Sequence, residues 1–225
     1  MRRFIQALNL FTLIPAAIVI SGCQQVSSWG GSGPKIELFN GQDLTGWTLY
    51  VPDPKVDVST VWSVKDGIIH CTGVPNGYMR TNESHENYHL HLEWRWPDKP
   101  ANSGVLLHIQ GEDKVWPVCI ESQLMAGHAG DWVLINHTGI TVDGEDKYDP
   151  NTQYVVIPKQ HETTENPAGQ WNTYDIICNG DMITSTVNGV LQNSGVKATV
   201  TSGPIGLQSE GGPIEFRNIT LTPLK

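Results

Sequence analysis

The sequence predicts an all-β protein, a two-sheet β-sandwich of jelly-roll type, and three observations predict it. Among 225 residues there are 23 glycines and 14 prolines, a turn-rich composition that suits many short strands. Tyr88 to Trp96 (YHLHLEWRW) alternates strictly, with Leu90, Leu92, Trp94 and Trp96 on one face and His89, His91, Glu93 and Arg95 on the other. No stretch carries a helical period long enough to specify a helix, and no strand–helix–strand alternation is visible. Eight tryptophans and 39% hydrophobic residues can fill a core, and 16% charged residues are too few for a disordered acidic chain. The net charge of −9, without any basic run, argues against nucleic acid as a partner.

The chain begins with an address. Met1, Arg2 and Arg3 form a positive start, Leu8 to Ile20 is almost wholly apolar, and Ser21-Gly22-Cys23 follows. That order describes a secretory signal, and its apolar run is too short for a comfortable membrane span. A cysteine directly after Ser-Gly resembles the bacterial lipoprotein signal, which implies removal of residues 1–22 and lipidation of Cys23. Cleavage removes two arginines and no acid, taking the charge from −9 to −11. Gln24, in place of Asp, points to the outer membrane, with the acyl anchor as the only membrane contact. Residues 23–35 comprise the lipidated cysteine and a Ser/Gly-rich flexible tether, and residues 36–225 form one domain. Cys71, Cys119 and Cys178 remain, in an oxidising compartment, as one disulfide and a thiol or as three thiols. Their spacing suggests no zinc site.

Within the domain, Ile68 to Cys71 follows the turn dipeptide Asp66-Gly67. Val105 to Gln110 and Pro117 to Met125 read as strands. Thr173 to Cys178 and Met182 to Val187 flank Asn179-Gly180-Asp181 as a hairpin, and Ile205 to Gln208 and Ile214 to Leu221 close the chain. The total comes to about ten to thirteen short strands. Three of them carry polar rows: His89, His91, Glu93 and Arg95; Leu106, His108 and Gln110; Cys119, Glu121, Gln123 and Met125. If those strands are neighbours, the rows line a concave face suited to a polyhydroxylated ligand. If they are not, the rows are a solvated surface with pairs such as Glu93 and Arg95.

Several segments resemble the 3-keto-disaccharide hydrolase domain family, related in fold to concanavalin A-like lectins and glucanases. They are LFNGQDLTGW (38–47), WSVKDGIIHCTG (62–73), HLEWRWPDKPANSGVLLHI (91–109), IESQL (120–124), WNTYDIICNG (171–180), VNG (187–189) and GPIGLQSEGGPIEFRNITLTPL (203–224). They run in family order across almost the whole domain. The resemblance implies cleavage of sugars oxidised at carbon 3, and an oxidoreductase that makes such sugars as a pathway neighbour. A 3-keto group acidifies the hydrogen on carbon 2, so a base can remove it and the substituent on carbon 1 can leave. Water adding to the resulting 2-hydroxy-glycal completes a hydrolysis. Such a site needs a base, an acid near the leaving oxygen, and a positive or hydrogen-bonding group at the carbon-3 oxygen. Glu121 is the preferred base and His108 the second choice; Glu121, His108 and His91 are also the candidates for acid or metal ligand. Arg95, Gln123 and Asn102 are candidates for binding the oxygens, and a divalent metal ion is a candidate cofactor.

Two other functions compete. A conventional jelly-roll glycosidase places Glu-x-Asp-x-x-Glu on one strand, whereas this strand reads Glu121-Ser122-Gln123-Leu124-Met125-Ala126, leaving Glu93 as a remote substitute for the second carboxylate. A non-catalytic sugar-binding module would use Trp47, Trp116, Trp132 and Tyr78 for stacking, with Trp116 and Trp132 best placed for a cleft rim. His128 and His137 fall on loops, His128 being the stronger binding candidate. Asn172 and Gln208, which match family positions, either bind sugar or fix loops. Asp143, Glu145, Asp146 and Asp149 have the composition of a calcium loop without its spacing, and read as a solvated acidic loop.

Overall fold

A computed structural model describes residues 33–225. The segment expected to be a signal, Cys23 and the expected tether up to residue 32 lie outside the described residues. The strands in chain order are β1 (Ile36–Glu37), β2 (Trp47–Tyr50), β3 (Trp62–Lys65), β4 (Ile68–Cys71), β5 (Gly77–Thr81) and β6 (Tyr88–Arg95). There follow β7 (Gly104–Gln110), β8 (Val118–Gln123), β9 (Trp132–Ile135), β10 (Ile140–Val142), β11 (Glu145–Lys147) and β12 (Tyr154–Ile157). The last are β13 (Asn172–Asn179), β14 (Met182–Val187), β15 (Val190–Gly195), β16 (Gly206–Ser209) and β17 (Ile214–Pro223). One 3-10 turn, Val58–Thr60, is the sole helical element among the described residues.

Two antiparallel sheets face each other. One runs β15-β14-β13-β6-β17-β4-β3 with β1 paired to β17; the other runs β12-β9-β8-β7-β16-β5-β2. β10 and β11 form a separate ribbon. The strand count exceeds the sequence expectation because pieces as short as β1, β10 and β11 carry too few residues to show a period.

Turn chemistry sets the hairpins. Asp66-Gly67 joins β3 to β4 with φ of 53° and 75°, and Asn188-Gly189 joins β14 to β15 with φ of 48° and 79°. Both central residues lie in the left-handed region that an Asx-Gly pair tolerates and that matches strand twist. Alternation then builds the core. β6 turns Leu90, Leu92 and Trp94 inward against Val105, Leu107 and Ile120 of the opposite sheet, all fully buried. A buried polar chain crosses between the sheets beneath β8. The Ser122 hydroxyl contacts the Tyr174 hydroxyl at 2.6 Å and Ser185 at 2.7 Å, and the Trp132 indole donates to Ser185 at 2.8 Å. Cys71, Cys119 and Cys178 are free and buried, so the alternative of three thiols holds.

The topology separates the polar rows. β6 lies between β13 and β17 in the eight-stranded sheet, whereas β7 and β8 lie in the seven-stranded one. The two sheets pack through their apolar faces, so the row on β6 and the row on β8 point outward on opposite sides of the molecule. His91, Glu93 and Arg95 therefore do not share a face with Glu121.

Candidate active site

On the outer face of the seven-stranded sheet, the residues alternate with those that fill the core. β8 contributes Cys119, Glu121 and Gln123, β9 contributes Val133 and Ile135, and β12 contributes Tyr154 and Val156. Gly104 and Leu106 on β7 and Gln208 on β16 continue the face, Gln208 standing opposite Tyr78 of β5. Two cavities open on it. One, of about 470 Å³, is lined by Asn102, Trp116, Glu121, Gln123, Tyr154 and Glu210, among others. The second, of about 500 Å³, contains His128, Asp131, Lys159 and His161, and shares Gln123, Met125, Val133 and Val156 with the first.

Glu121 forms part of the floor of the first cavity. It is 4% exposed, and its Oε1 has no hydrogen-bond partner. Burial, helped by the charge of Glu210, pushes its carboxyl up to about 8. The carboxylate lies over Gly104: a Cβ there would stand 2.0 Å from Oε1. Glu210, on the turn between β16 and β17, is half-buried, and burial raises its carboxyl as well. The neighbouring Asn102 side chain offsets part of that rise, and the Asn102 backbone bridges to those of Glu210 and Gly211. The Asn102 Oδ1 and both polar atoms of the Gln208 side chain are buried without partners. Gln123 accepts the Leu124 and Met125 amides on Oε1, both at 2.9 Å, which leaves its Nε2 to donate. Trp116 and Tyr154 meet edge to face, with ring centroids 6.3 Å apart, and supply an aromatic wall. This arrangement offers a proton-transfer carboxyl, a second acid, amide groups for hydroxyls, and a surface for a sugar ring.

Next door, the His128 Nδ1 hydrogen-bonds to the Asp131 carboxylate at 2.9 Å. Asp131 is buried and also accepts the Lys159 amide at 2.8 Å. His128 is thus held at the mouth of the second cavity, not beside Glu121.

The other sequence candidates lie elsewhere. His108 is a correction. A bulge between Leu107 and Gln110 gives it φ of 56° and breaks the parity that would place it beside Leu106. Its ring is buried, 5.6 Å from the ring of Tyr88 across the sandwich, with Nδ1 near the Val200 carbonyl at 3.1 Å. Burial pulls its pKa down to about 4. Facing the interior, it is not available as an acid or base for Glu121.

The β6 row is an ion-pair network on the opposite surface. His89 and His91 both reach Asp175, Glu93 takes Arg217 and Asn218, and Arg95 donates to Glu215 at 2.6 Å. Trp171 packs against the Arg95 and Arg217 guanidiniums at 4.5 and 4.0 Å. Catalytic and substrate-binding roles for Arg95, His91 and Glu93 are therefore corrected to structural pairing. Accordingly, Arg95→Ala is expected to leave turnover within about twofold while costing ~1 kcal/mol of stability. Steady-state rates and denaturant melts check both, and a hundredfold loss of turnover at unchanged stability would contradict the placement.

Asn172 is buried in β13, where its Oδ1 accepts the Asn166 amide at 2.7 Å and the Asn188 side chain at 2.8 Å, which fixes a loop and corrects its binding role. Trp47 and Trp132 are core residues, and Tyr78 is buried with its hydroxyl donating to Asp113 at 2.7 Å. In the acidic loop, Asp146 takes Thr141, Glu145 takes Lys147 and Asp149 takes Asn151. Among the described residues, no three His, Cys, Asp or Glu side chains converge as metal ligands.

Residues 34–222 match the family described as the 3-keto-alpha-glucoside-1,2-lyase-like domain. No curated protein matches the sequence. Among solved structures, a candidate glycosyl hydrolase of Parabacteroides distasonis superposes with a TM-score of 0.62 at 23% identity, covering 86% of this chain and 94% of its own. A β-glucanase of Bacillus licheniformis gives 0.54 at 14% identity, covering 87% and 99%. A family 66 carbohydrate-binding module of Bacillus subtilis gives 0.54 at 11%, covering 79% and 96%. These likenesses establish the jelly-roll fold, and both an enzyme and a binding module share it. The match over nearly the whole described domain is what assigns the protein: it belongs to the 3-keto-alpha-glucoside-1,2-lyase-like domain family, a family of carbohydrate-active proteins.

Proposed function

We propose that the protein cleaves 3-keto-glycosides, with Glu121 as the base that takes the proton from carbon 2. The observation that carries this reading is a buried carboxyl without a hydrogen-bond partner, lining a cavity of sugar size with amide and aromatic groups around it. Burial matches Glu121 to the task, because an unsolvated carboxylate is a stronger base than one in water. The Gln123 Nε2 is placed to donate to a substrate oxygen, and Trp116 and Tyr154 to hold the sugar face. Loss of the proton gives an enolate, which expels the carbon-1 substituent and leaves a 2-hydroxy-glycal for water to attack.

The test is nitrophenol release from a nitrophenyl 3-keto-glucoside beside the unoxidised glucoside. Only the keto substrate is expected to turn over. Because the base works ionised and nitrophenol leaves without an acid, kcat/KM should rise with pH through about 8 and then level. Glu210 gives a second reading specific support, since it supplies the second carboxylate that β8 lacks for conventional glycosidase chemistry. That reading requires turnover of the plain glucoside, and in it a protonated Glu121 would make the rate fall above about pH 8. Sugar binding with no turnover of either substrate would identify a binding module.

We also propose export as an outer-membrane lipoprotein acylated on Cys23. Labelled palmitate should enter the wild-type chain, and Cys23→Ser should abolish the label and free the protein from the membrane fraction.

A further inference from the structure

Glu210 does not stand on a strand face, yet its placement relative to Glu121 is fixed. Glu121 lies over Gly104. Two residues before Gly104, Asn102 bridges by backbone to Glu210 and Gly211. Two residues before Glu210, Gln208 stands on the same outer face with its amide unpartnered. Glu121, Asn102 and Glu210 line one cavity, and neither glutamate has an arginine or lysine partner among the described residues. The backbone bridge to Asn102 holds Glu210 at that cavity. Two carboxyls facing one sugar-sized space, with no cation among the described residues to neutralise either, can work as an acid–base pair.

We infer that Glu210 is the proton donor to the leaving oxygen, and that it later takes a proton from the attacking water. The inference rests on the 3-keto reading of the site. The reactive form of the pair carries its single proton on Glu210 and leaves Glu121 ionised. In the first half, Glu121 takes the carbon-2 proton and an enolate forms. The enolate collapses to a carbon-1–carbon-2 double bond as the carbon-1–oxygen bond breaks, and the departing oxygen takes the Glu210 proton. In the second half, water adds to carbon 1 and gives a proton to Glu210, while Glu121 returns its proton to carbon 2. Both carboxyls end as they began, and no oxidant or reductant is consumed. Glu210 thereby turns an elimination into a hydrolysis.

The experiment compares two leaving groups. A 3-keto-disaccharide expels a sugar alkoxide that needs a proton; a nitrophenyl 3-keto-glucoside expels a phenolate that does not. Glu210→Gln is expected to lower kcat on the disaccharide by about 10²- to 10³-fold and on the nitrophenyl substrate by less than about threefold. Deuterium exchange at carbon 2 should persist, and the 2-hydroxy-glycal should accumulate from the nitrophenyl substrate. Glu210→Asp, which keeps the acid, should recover part of the disaccharide rate and guards against a folding artefact. Equal losses on both substrates, or no loss on either, would overturn the role. Failure of the 3-keto reading itself looks different: wild-type protein would then show neither carbon-2 exchange nor keto-substrate turnover.

Discussion

Glu121→Gln is expected to abolish keto-glycoside cleavage and, at the same time, to make the protein more stable in mild alkali. The catalytic loss should reach about 10³-fold or more in kcat, since an amide cannot accept the carbon-2 proton. The gain in stability follows from linkage. In the unfolded chain this carboxyl ionises at its ordinary value of 4.5, whereas in the fold it holds its proton up to about 8. Between those values the folded state binds more protons than the unfolded one, so stability falls as pH rises from about 4.5 to about 8. Above that window the buried charge costs on the order of 5 kcal/mol. Glutamine carries no charge, and so the variant should melt roughly 10–20 °C above wild type at pH 8.5 and near the wild-type temperature at pH 5. Melts at the two pH values, together with rates, check the pair of effects. A variant that melts lower than wild type at pH 8.5 would mean that Glu121 is stabilised by contacts the fold does not show.

Gly104→Ala is expected to disable the site without touching any group that does chemistry. Gly104 is not among the residues with left-handed backbone, so alanine fits its φ and ψ. Space is the obstacle: the new Cβ would stand 2.0 Å from Oε1 of Glu121, 2.6 Å from its Cδ and 2.7 Å from its Cγ. The side chain must then swing into the cavity that it lines. A displacement of that size costs on the order of 10²-fold in kcat/KM. The fold should survive at a cost of ~1–3 kcal/mol from overpacking. Carbon-2 deuterium exchange and kcat/KM on the nitrophenyl keto-glucoside measure the effect. Full activity in Gly104→Ala would show that the position of Glu121 does not matter, and with it the assignment of the base would fall.

Particular residues show how far the sequence could lead. β6 and β13 read clearly because one face of each is buried, so their period of two is written in apolar and polar letters. Asp66-Gly67 was legible as a turn because the local backbone dictates the residue type. Glu121, Gln123 and Asn102 meet in one cavity, and Trp116, read as a cleft-rim residue, joins them there. The row on β6 went to the other sheet because alternation says which side chains share a face and nothing about which strand lies alongside. His108 turned inward because one extra residue in a bulge inverts every later position, and a bulge leaves no signature in composition. Glu210 escaped notice because it lies on a turn, where parity has no meaning. The only available signal was an acid between small residues in Gln208-Ser209-Glu210-Gly211-Gly212.

The hydroxyl chain beneath β8 has a consequence for how this protein can change over generations. Ser122, the neighbour of Glu121, is bonded to Tyr174 and Ser185 of the facing sheet, so the strand bearing Glu121 is bolted to the far side of the molecule. The wall opposite is built differently: Pro158 to Glu162 follow the edge strand β12 and line the second cavity. Insertions or exchanges there can reshape what the cleft admits without moving the carboxylate. What the cleft admits can therefore drift while the carboxylate beneath it stays in place.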